Sequence, residues 1–285
     1  MLDLIDLHTH SRASDGSDTP ARLVRYACEK GLKGIALTDH DTVSGLPEFL
    51  KETKECGIVG VPGVEISTRL FSKELHIVGL FINPETPELS ELLERMRSGR
   101  EKRNREIIHK LNVLGYEISY DELLQVAGGE SVGRPHIGAV LLGKGYFKTM
   151  HDVFVQCLKR GCRAYVPREL PDSAEAVKVI HAAGGLAIWA HPVSGQAGER
   201  GYAKKMLRKL MDFGIDGVET NYSMFSEHQT QMMHEIAEAA GVLKSGGSDY
   251  HGVNQPGIDL GSGNGSLAVP FEFLERMMEA RQCAR

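Results

Sequence analysis

At 285 residues the chain is long enough for one large α/β domain, with or without an insertion. Its composition, 41% hydrophobic, 25% charged and 6% aromatic, is that of an ordinary globular protein, and a net charge of −5 argues against an overall basic nucleic-acid binder, although a local basic patch is compatible with it. No apolar run is long enough to span a bilayer and no basic-then-apolar leader opens the chain; with five irregularly spaced cysteines (Cys28, Cys56, Cys157, Cys162 and Cys283), a cytoplasmic protein with reduced thiols and no membrane partner is expected.

The first third alternates strand and helix. Residues 4–10 read as a strand, after which Thr19 and Pro20 open a helix as N-cap and first turn, ending near Gly31. Residues 34–38 form a short apolar strand running into Asp39-His40-Asp41, and a helix follows over 46–56. Residues 58–66 are the next strand, broken at Pro62-Gly63 and carrying Glu65 at its end; residues 76–81 are a fourth, starting at His76. From about 87 to 163 the periodicity is helical and no strand is convincing: a long charged helix over 89–114 is stopped by Gly115, and short helices are expected over 120–126, 135–144 and 150–159. Alternation then resumes. Residues 174–183 are a helix capped by Asp172 or Ser173, and 185–190 a strand leading to His191-Pro192. A helix over 202–213 precedes a strand over 217–221, and a helix over 226–240 has Ser226 as cap and Gly241 as stop. A strand over 243–246 leads to Ser248-Asp249-Tyr250-His251, and a helix over 270–281 closes the chain. About seven βα units favour a barrel over an open sheet, divided here into a barrel of residues 1–86 and 164–285 and a helical insertion of 87–163.

Nearly every strand ends beside a residue that can bind a metal. Side chains two apart on a strand face the same way, so His8 and His10 form one pair and Asp249 and His251 another. Asp15, His40, Glu65, His76 and His191 complete a set of nine. The C-terminal strand ends of a parallel barrel make up its active face, and several cations would satisfy nine such groups gathered there. A lone histidine is usually structural or solvated, and His109, His151, His181, His228 and His234, all in predicted helices, are read that way. Imidazole and carboxylate without thiolate suit manganese, zinc or iron over magnesium or calcium, and two or three divalent ions, manganese foremost, are expected.

The motifs His8-Thr9-His10, Thr38-Asp39-His40-Asp41, Gly63-Val64-Glu65, His76, Ala190-His191-Pro192 and Gly247-Ser248-Asp249-Tyr250-His251 resemble those of the PHP family, the polymerase-and-histidinol-phosphatase metal hydrolases. The resemblance implies a distorted (β/α)7, TIM-like barrel and a metal-dependent phosphoesterase. It implies one metal on His8, His10, Glu65 and Asp249, a second on Glu65, His76 and His191, and a third on Asp15, His40 and His251. A metal-bridging water held by Glu65, His191 and Asp249 would be the nucleophile.

Histidinol phosphatases of the family usually carry histidine where Asp15 stands. The segment from Ser11 to Ser17 looks more like the small nucleotide-phosphatase branch, which acts on 3′,5′-nucleoside bisphosphates and in some members trims short RNA. That branch implies phosphate contacts from Arg100, Arg103 and Asn104 on the long helix, and from Arg134 and His136 in Gly-Arg-Pro-His, with Asp41 close by. Arg134 suits a bidentate phosphate clamp. The basic helix stretch (Arg95, Arg97, Arg100, Lys102, Arg103, Arg105) also reads as a solvated face, because Glu94, Glu101 and Glu106 are interleaved.

The expected substrate is thus a small phosphorylated nucleotide, with release of a nucleoside 5′-monophosphate from a 3′,5′-bisphosphate. The alternatives are a 5′-to-3′ exonuclease on short single-stranded RNA or DNA, or a cyclic ribose phosphate phosphodiesterase. An exonuclease would want stacking aromatics, for which Tyr116, Tyr120, Tyr146, Phe147, Tyr222 and Phe225 are the candidates.

Overall fold

A computed structural model describes residues 3–194 and 200–283. The opening strand β1 (Ile5–Asp6) is shorter than expected, because the chain from Leu7 onward pairs with β7 of the same barrel by isolated bonds rather than a regular ladder. The helix α1 (Pro20–Glu29) begins as the sequence suggests: Thr19 accepts the Arg22 N–H and Pro20 occupies the first turn. Next come β2 (Gly34–Leu37), α2 (Leu46–Cys56), β3 (Val59–Leu70) and β4 (Lys73–Leu80).

The long third strand corrects the expected break at Pro62-Gly63. Pro62 pairs with Leu37, and Gly63 is there for room: a Cβ would meet Gly79 O at 2.9 Å and Thr38 Cγ2 at 2.9 Å. A second correction is direction. β3 and β4 form an antiparallel hairpin with Phe71-Ser72 at its tip, and β4 is antiparallel to β5 as well. So His76 stands near the start of its strand, yet reaches the end of the barrel where the other strands finish.

Helices alone follow over the middle of the chain: α3 (Pro87–Val113), α4 (Tyr120–Ala127), α5 (Arg134–Gly143), α6 (Met150–Val153) and a π-helical turn, Phe154–Leu158. Then α7 (Ser173–Ala182), capped by Asp172, leads to β5 (Leu186–Trp189), α8 (Arg200–Met211), β6 (Gly217–Tyr222), α9 (Glu227–Ala240), β7 (Leu243–Gly247) and α10 (Glu272–Cys283). The last helix starts two residues later than expected, after Phe271 N has bonded to Asp3 O.

The seven strands follow chain order around a nearly closed barrel. β7 closes onto β1 through Leu7 N–H to Gly246 O (3.1 Å), Asp249 N–H to His8 O (2.9 Å) and His10 N–H to Tyr250 O (3.0 Å). Gly247 is required at this seam, because a Cβ would lie 2.4 Å from His8 Cβ. One apolar cluster, from Leu23 through Trp189 to Leu260, lies between strands and outer helices; a separate one, including Ile107, Leu123, Ile137, Val153 and Leu158, is the core of a helical lobe. The helix α3 serves both: Leu89, Leu92, Leu93 and Met96 pack into the first, Ile107, Ile108 and Leu111 into the second. Among the described residues no helix is long and apolar enough to cross a membrane.

Candidate active site

The structure brings all nine predicted ligand-type residues to one end of the barrel, in overlapping groups whose donor atoms lie within 4.8 Å of one another. Glu65, fully buried on β3, is the hub. Its Oε1 accepts hydrogen bonds from His76 Nδ1 (2.8 Å) and His191 Nε2 (3.0 Å), and lies 3.4 Å from His8 Nε2. Its Oε2 lies 2.8 Å from His40 Nδ1 and 3.3 Å from His10 Nε2. Asp249 Oδ1 is 3.0 Å from His10 Nε2 and 3.5 Å from His8 Nε2, and Asp15 Oδ1 is 3.3 Å from His251 Nε2. Distances group His10 with Asp15, His40 and His251 as well as with His8 and Asp249, so His10 stands between two groups that the resemblance separates.

Several of these contacts are close but not aligned as hydrogen bonds. His8 Nε2, both nitrogens of His10, Asp15 Oδ1, His40 Nδ1 and Glu65 Oε2 are buried without a hydrogen-bond partner. Buried polar atoms are normally satisfied, and lone pairs that crowd together without a proton between them are what shared cations satisfy. The donor set therefore fits divalent metals.

Neighbouring groups fix which nitrogen is available. His8 Nδ1–H donates to Glu219 Oε1 (2.8 Å), leaving the Nε2 lone pair toward the cluster. His251 Nδ1–H donates to Asp249 O (2.8 Å), leaving Nε2 toward Asp15. The loop carrying Asp15 is held by the buried Asp39, which accepts from Ser11 N (2.8 Å), Ser11 Oγ (2.7 Å) and Ser14 Oγ (2.6 Å).

Electrostatics agree with a cation site. Burial, then the charges of His251 and His40, push the His10 pKa down to about 3, so this imidazole is neutral. Burial would raise Glu65, but His40, His76 and His8 hold it well below the ordinary value. Burial opposes charge on His76 and His251, yet Glu65 and Asp15 outweigh it and raise each to about 10. The carboxylates thus demand positive charge, which protons or metal cations can supply in competition.

Backbone strain concentrates here too. Among the described residues five non-glycines have positive φ, and three are Asp41 (54°), His191 (32°) and Asp249 (55°). His191 precedes a proline, which makes its conformation less favourable still, and its N–H is anchored by Glu219 Oε2 at 2.6 Å.

Beside the cluster is a cavity of about 180 Å³ between barrel and lobe, lined by Asp15, His40 and His76 on one side and Arg100, Arg103, Arg134 and Arg168 on the other. Arg100 and Arg168 both donate to the buried Asp41, at 2.8 Å from Arg100 Nε and 3.0 Å from Arg168 Nη1. Asp41 thus anchors the arginines, its second role being to accept the Ser67 N–H (2.9 Å). Arg103 donates to Val166 O (3.0 Å) and Arg134 to Leu158 O (3.3 Å). Burial, followed by Arg134, Arg168 and Arg100, lowers Arg103 to about 9.

Asn104 is buried and donates to Val132 O (2.9 Å), and His136 Nδ1 accepts the Gly133 N–H (3.0 Å); both secure the start of α5, where Arg134 sits. Arg95 and Arg97 lie outside the cavity, paired with Glu175 and with Glu94 and Glu130. Sequence reasoning missed Arg168 and Glu219, and it read Tyr222 as a stacking aromatic, whereas the Tyr222 hydroxyl donates to Asp249 Oδ2 (2.9 Å). A charged residue inside a predicted buried strand was the available signal for Glu219; Arg168 offered none.

A barrel whose strand ends converge on a multi-histidine centre, with a guanidinium-lined cavity beside it, defines a metal-dependent phosphoester hydrolase. The PHP domain family matches residues 6–160, and the chain belongs to this family. It is 37% identical over 251 residues to a 5′-3′ exoribonuclease of Haemophilus influenzae, covering 88% of this chain and 91% of the relative. It is 34% identical over 262 residues to a 3′,5′-nucleoside bisphosphate phosphatase of Chromobacterium violaceum, covering 90% of each. A solved structure described as a metal-dependent phosphoesterase of Bifidobacterium adolescentis superposes with a TM-score of 0.87 at 27% identity, over 98% of this chain and 96% of that one.

Proposed function

We propose that the protein hydrolyses the 3′-phosphate of a 3′,5′-nucleoside bisphosphate, with the nine barrel residues holding two or three divalent ions and the helical lobe selecting the substrate. The observation that carries this reading is the excess of buried guanidinium beside the metal-type cluster. Arg100, Arg103, Arg134 and Arg168 share the cavity with Glu74 and Asp15, and Asp41 lies behind Arg100 and Arg168, so guanidinium groups outnumber carboxylates there. Such an excess calls for an anion, and guanidinium groups suit a phosphate oxygen triangle. A second phosphate on the substrate fits that demand, as the bisphosphate phosphatase relative suggests.

Bound metals would polarise the reacting phosphate and lower the pKa of water near it. The chain's own residues do the rest. Glu219 and Asp249 O orient His8 and His251, Asp41 fixes Arg100 and Arg168, and those arginines would hold the non-reacting phosphate so that the other lies against Glu65 and Asp249.

An exonuclease wants aromatic surfaces for successive bases, and the aromatic candidates are otherwise engaged. Tyr116 packs within the lobe against Tyr146 and Phe147, with ring centroids 5.4 and 5.1 Å away. Tyr120 is covered by Arg105 at 4.0 Å, and Tyr222 and Phe225 are buried. A 5′-phosphorylated RNA end shares the terminal phosphate and is therefore the competing substrate to test.

Protein loaded with Mn²⁺ should be compared on a 3′,5′-bisphosphate nucleoside, mononucleotides, a cyclic ribose phosphate, histidinol phosphate and a short 5′-phosphorylated RNA. The bisphosphate should give the highest kcat/KM, and Arg168→Ala should raise its KM by about ten- to a hundredfold, the worth of one buried charge-assisted contact. Equal turnover of mononucleotides and bisphosphates, or preference for the RNA, would overturn the reading.

A further inference from the structure

A second concavity, of about 430 Å³, lies next to the arginine cavity. It and the arginine cavity share Asp15, Pro135 and Phe154, so the two are neighbouring compartments of one site. Their chemistry differs. The arginine cavity is smaller than the roughly 300–1,000 Å³ of small-molecule pockets, and the larger groove falls within that range. Ala139, Met150 and Phe154 form an apolar wall from the lobe; Asn254 and Gln255 face it from the loop after β7. Resting on the bisphosphate reading above, we propose that this groove holds the nucleobase of the substrate, with Phe154 as its stacking surface and the two amides along its edge.

Phe154 is placed to divide base from phosphate. The Arg134 guanidinium carbon lies 5.7 Å from its ring centroid on the phosphate side, and the ring also lines the groove. Phe154 opens the π-helical turn, a rare local geometry that tends to occur at functional sites. The turn is tied down by Lys159 N–H to Phe154 O (2.8 Å) and by Cys162 Sγ to Val155 O (3.1 Å). Across the groove, Asn254 Nδ2 donates to Asp15 O (2.9 Å), which fixes the amide beside the loop that carries a ligand-type carboxylate. An apolar wall opposed by two amides, one of them held in place, matches a nucleobase, which has π faces and a hydrogen-bonding edge. Arg12, Ser17 and His136 also line the groove, but its apolar wall is what a bare sugar phosphate would leave uncovered.

The test is calorimetric binding of adenosine 5′-monophosphate and of ribose 5-phosphate to Mn²⁺-loaded wild type, Ala139→Phe and Phe154→Ala. The two ligands share a phosphate and a ribose and differ in the base. Wild type should bind the nucleotide more tightly by about tenfold or more, the usual worth of one stacked base. Both variants should bring the two affinities together: the larger ring introduced by Ala139→Phe would fill the groove away from the arginines, and Phe154→Ala would remove the stacking face. Far-UV circular dichroism and melting check that each variant folds; should one fail, the other still decides. Equal affinities in wild type, or a preference that survives in both variants, would overturn the groove assignment. Binding of neither ligand would instead count against the arginine cavity as a phosphate site, which separates failure of the nucleotide reading from failure of this one.

Discussion

The barrel end and the helical lobe present charge in opposite ways. On the barrel, Glu65 lies within the ladder of β3, Asp249 just past β7 and Asp15 in a loop pinned by Asp39, and imidazoles surround them so that a cation is wanted. At the lobe, Arg100 and Arg103 come from one long helix and Arg134 from the first turn of another, and the buried counter-charge of Arg100, Asp41, is lent by the barrel. The two halves of the proposed phosphoester site are thus built by different means: the metal-type cluster gathers at strand ends and adjoining loops, and Arg100 is placed by helix length and by one borrowed carboxylate.

If that division holds, variants at the two ends should fail differently. The largest effect is expected at Glu65→Gln. It should lower bound metal, read by elemental analysis, and cut kcat on the order of a thousandfold, the several kcal/mol a metal centre supplies. Full metal content with full turnover would remove Glu65 from its hub position. Glu219→Gln should weaken metal affinity by about ten- to a hundredfold, because it loosens both His8 Nδ1 and the strained His191 backbone. A metal titration followed by calorimetry reads this directly, and an unshifted affinity would reduce Glu219 to a packing group. The smallest effect is expected from Arg103→Ala, about tenfold in KM for the bisphosphate with metal content unchanged. A fall in bound metal there would blur the comparison, since barrel and lobe would then not be separable.

The barrel half is the more legible in sequence, for a physical reason. Strand side chains alternate with a period of two, so His8-Thr9-His10 and Asp249-Tyr250-His251 announce shared faces without any knowledge of the fold. Helix starts are equally readable where a hydroxyl or carboxylate caps them, as at Thr19, Asp172 and Ser226. The β3–β4 hairpin is not readable. Its two-residue tip is Phe71-Ser72, with Phe71 at φ 56°, where the usual signal would be glycine or asparagine. Single residues that act through a partner far away in sequence also stay silent: Arg168 meets Asp41 across 127 positions, and Glu219 meets His8 across 211. The place of Asp41 beside His40 associates it with phosphate, and only the fold reveals that arginines stand between.

The reversed direction of β4 reaches further than the placement of His76. Because that strand runs away from the catalytic rim, the chain leaves it at the far end of the barrel and must climb back along the outer wall. The climb is α3: from Pro87 to Arg100 a helix rises about 20 Å, comparable to the height of a six-residue strand. The guanidinium of Arg100 is therefore set at the rim by a residue count, each position adding about 1.5 Å of height and 100° of turn. That stretch of sequence acts as a gauge whose length is locked, whereas from Ile107 onward, where the buried residues of α3 join the lobe core, length is released from that constraint.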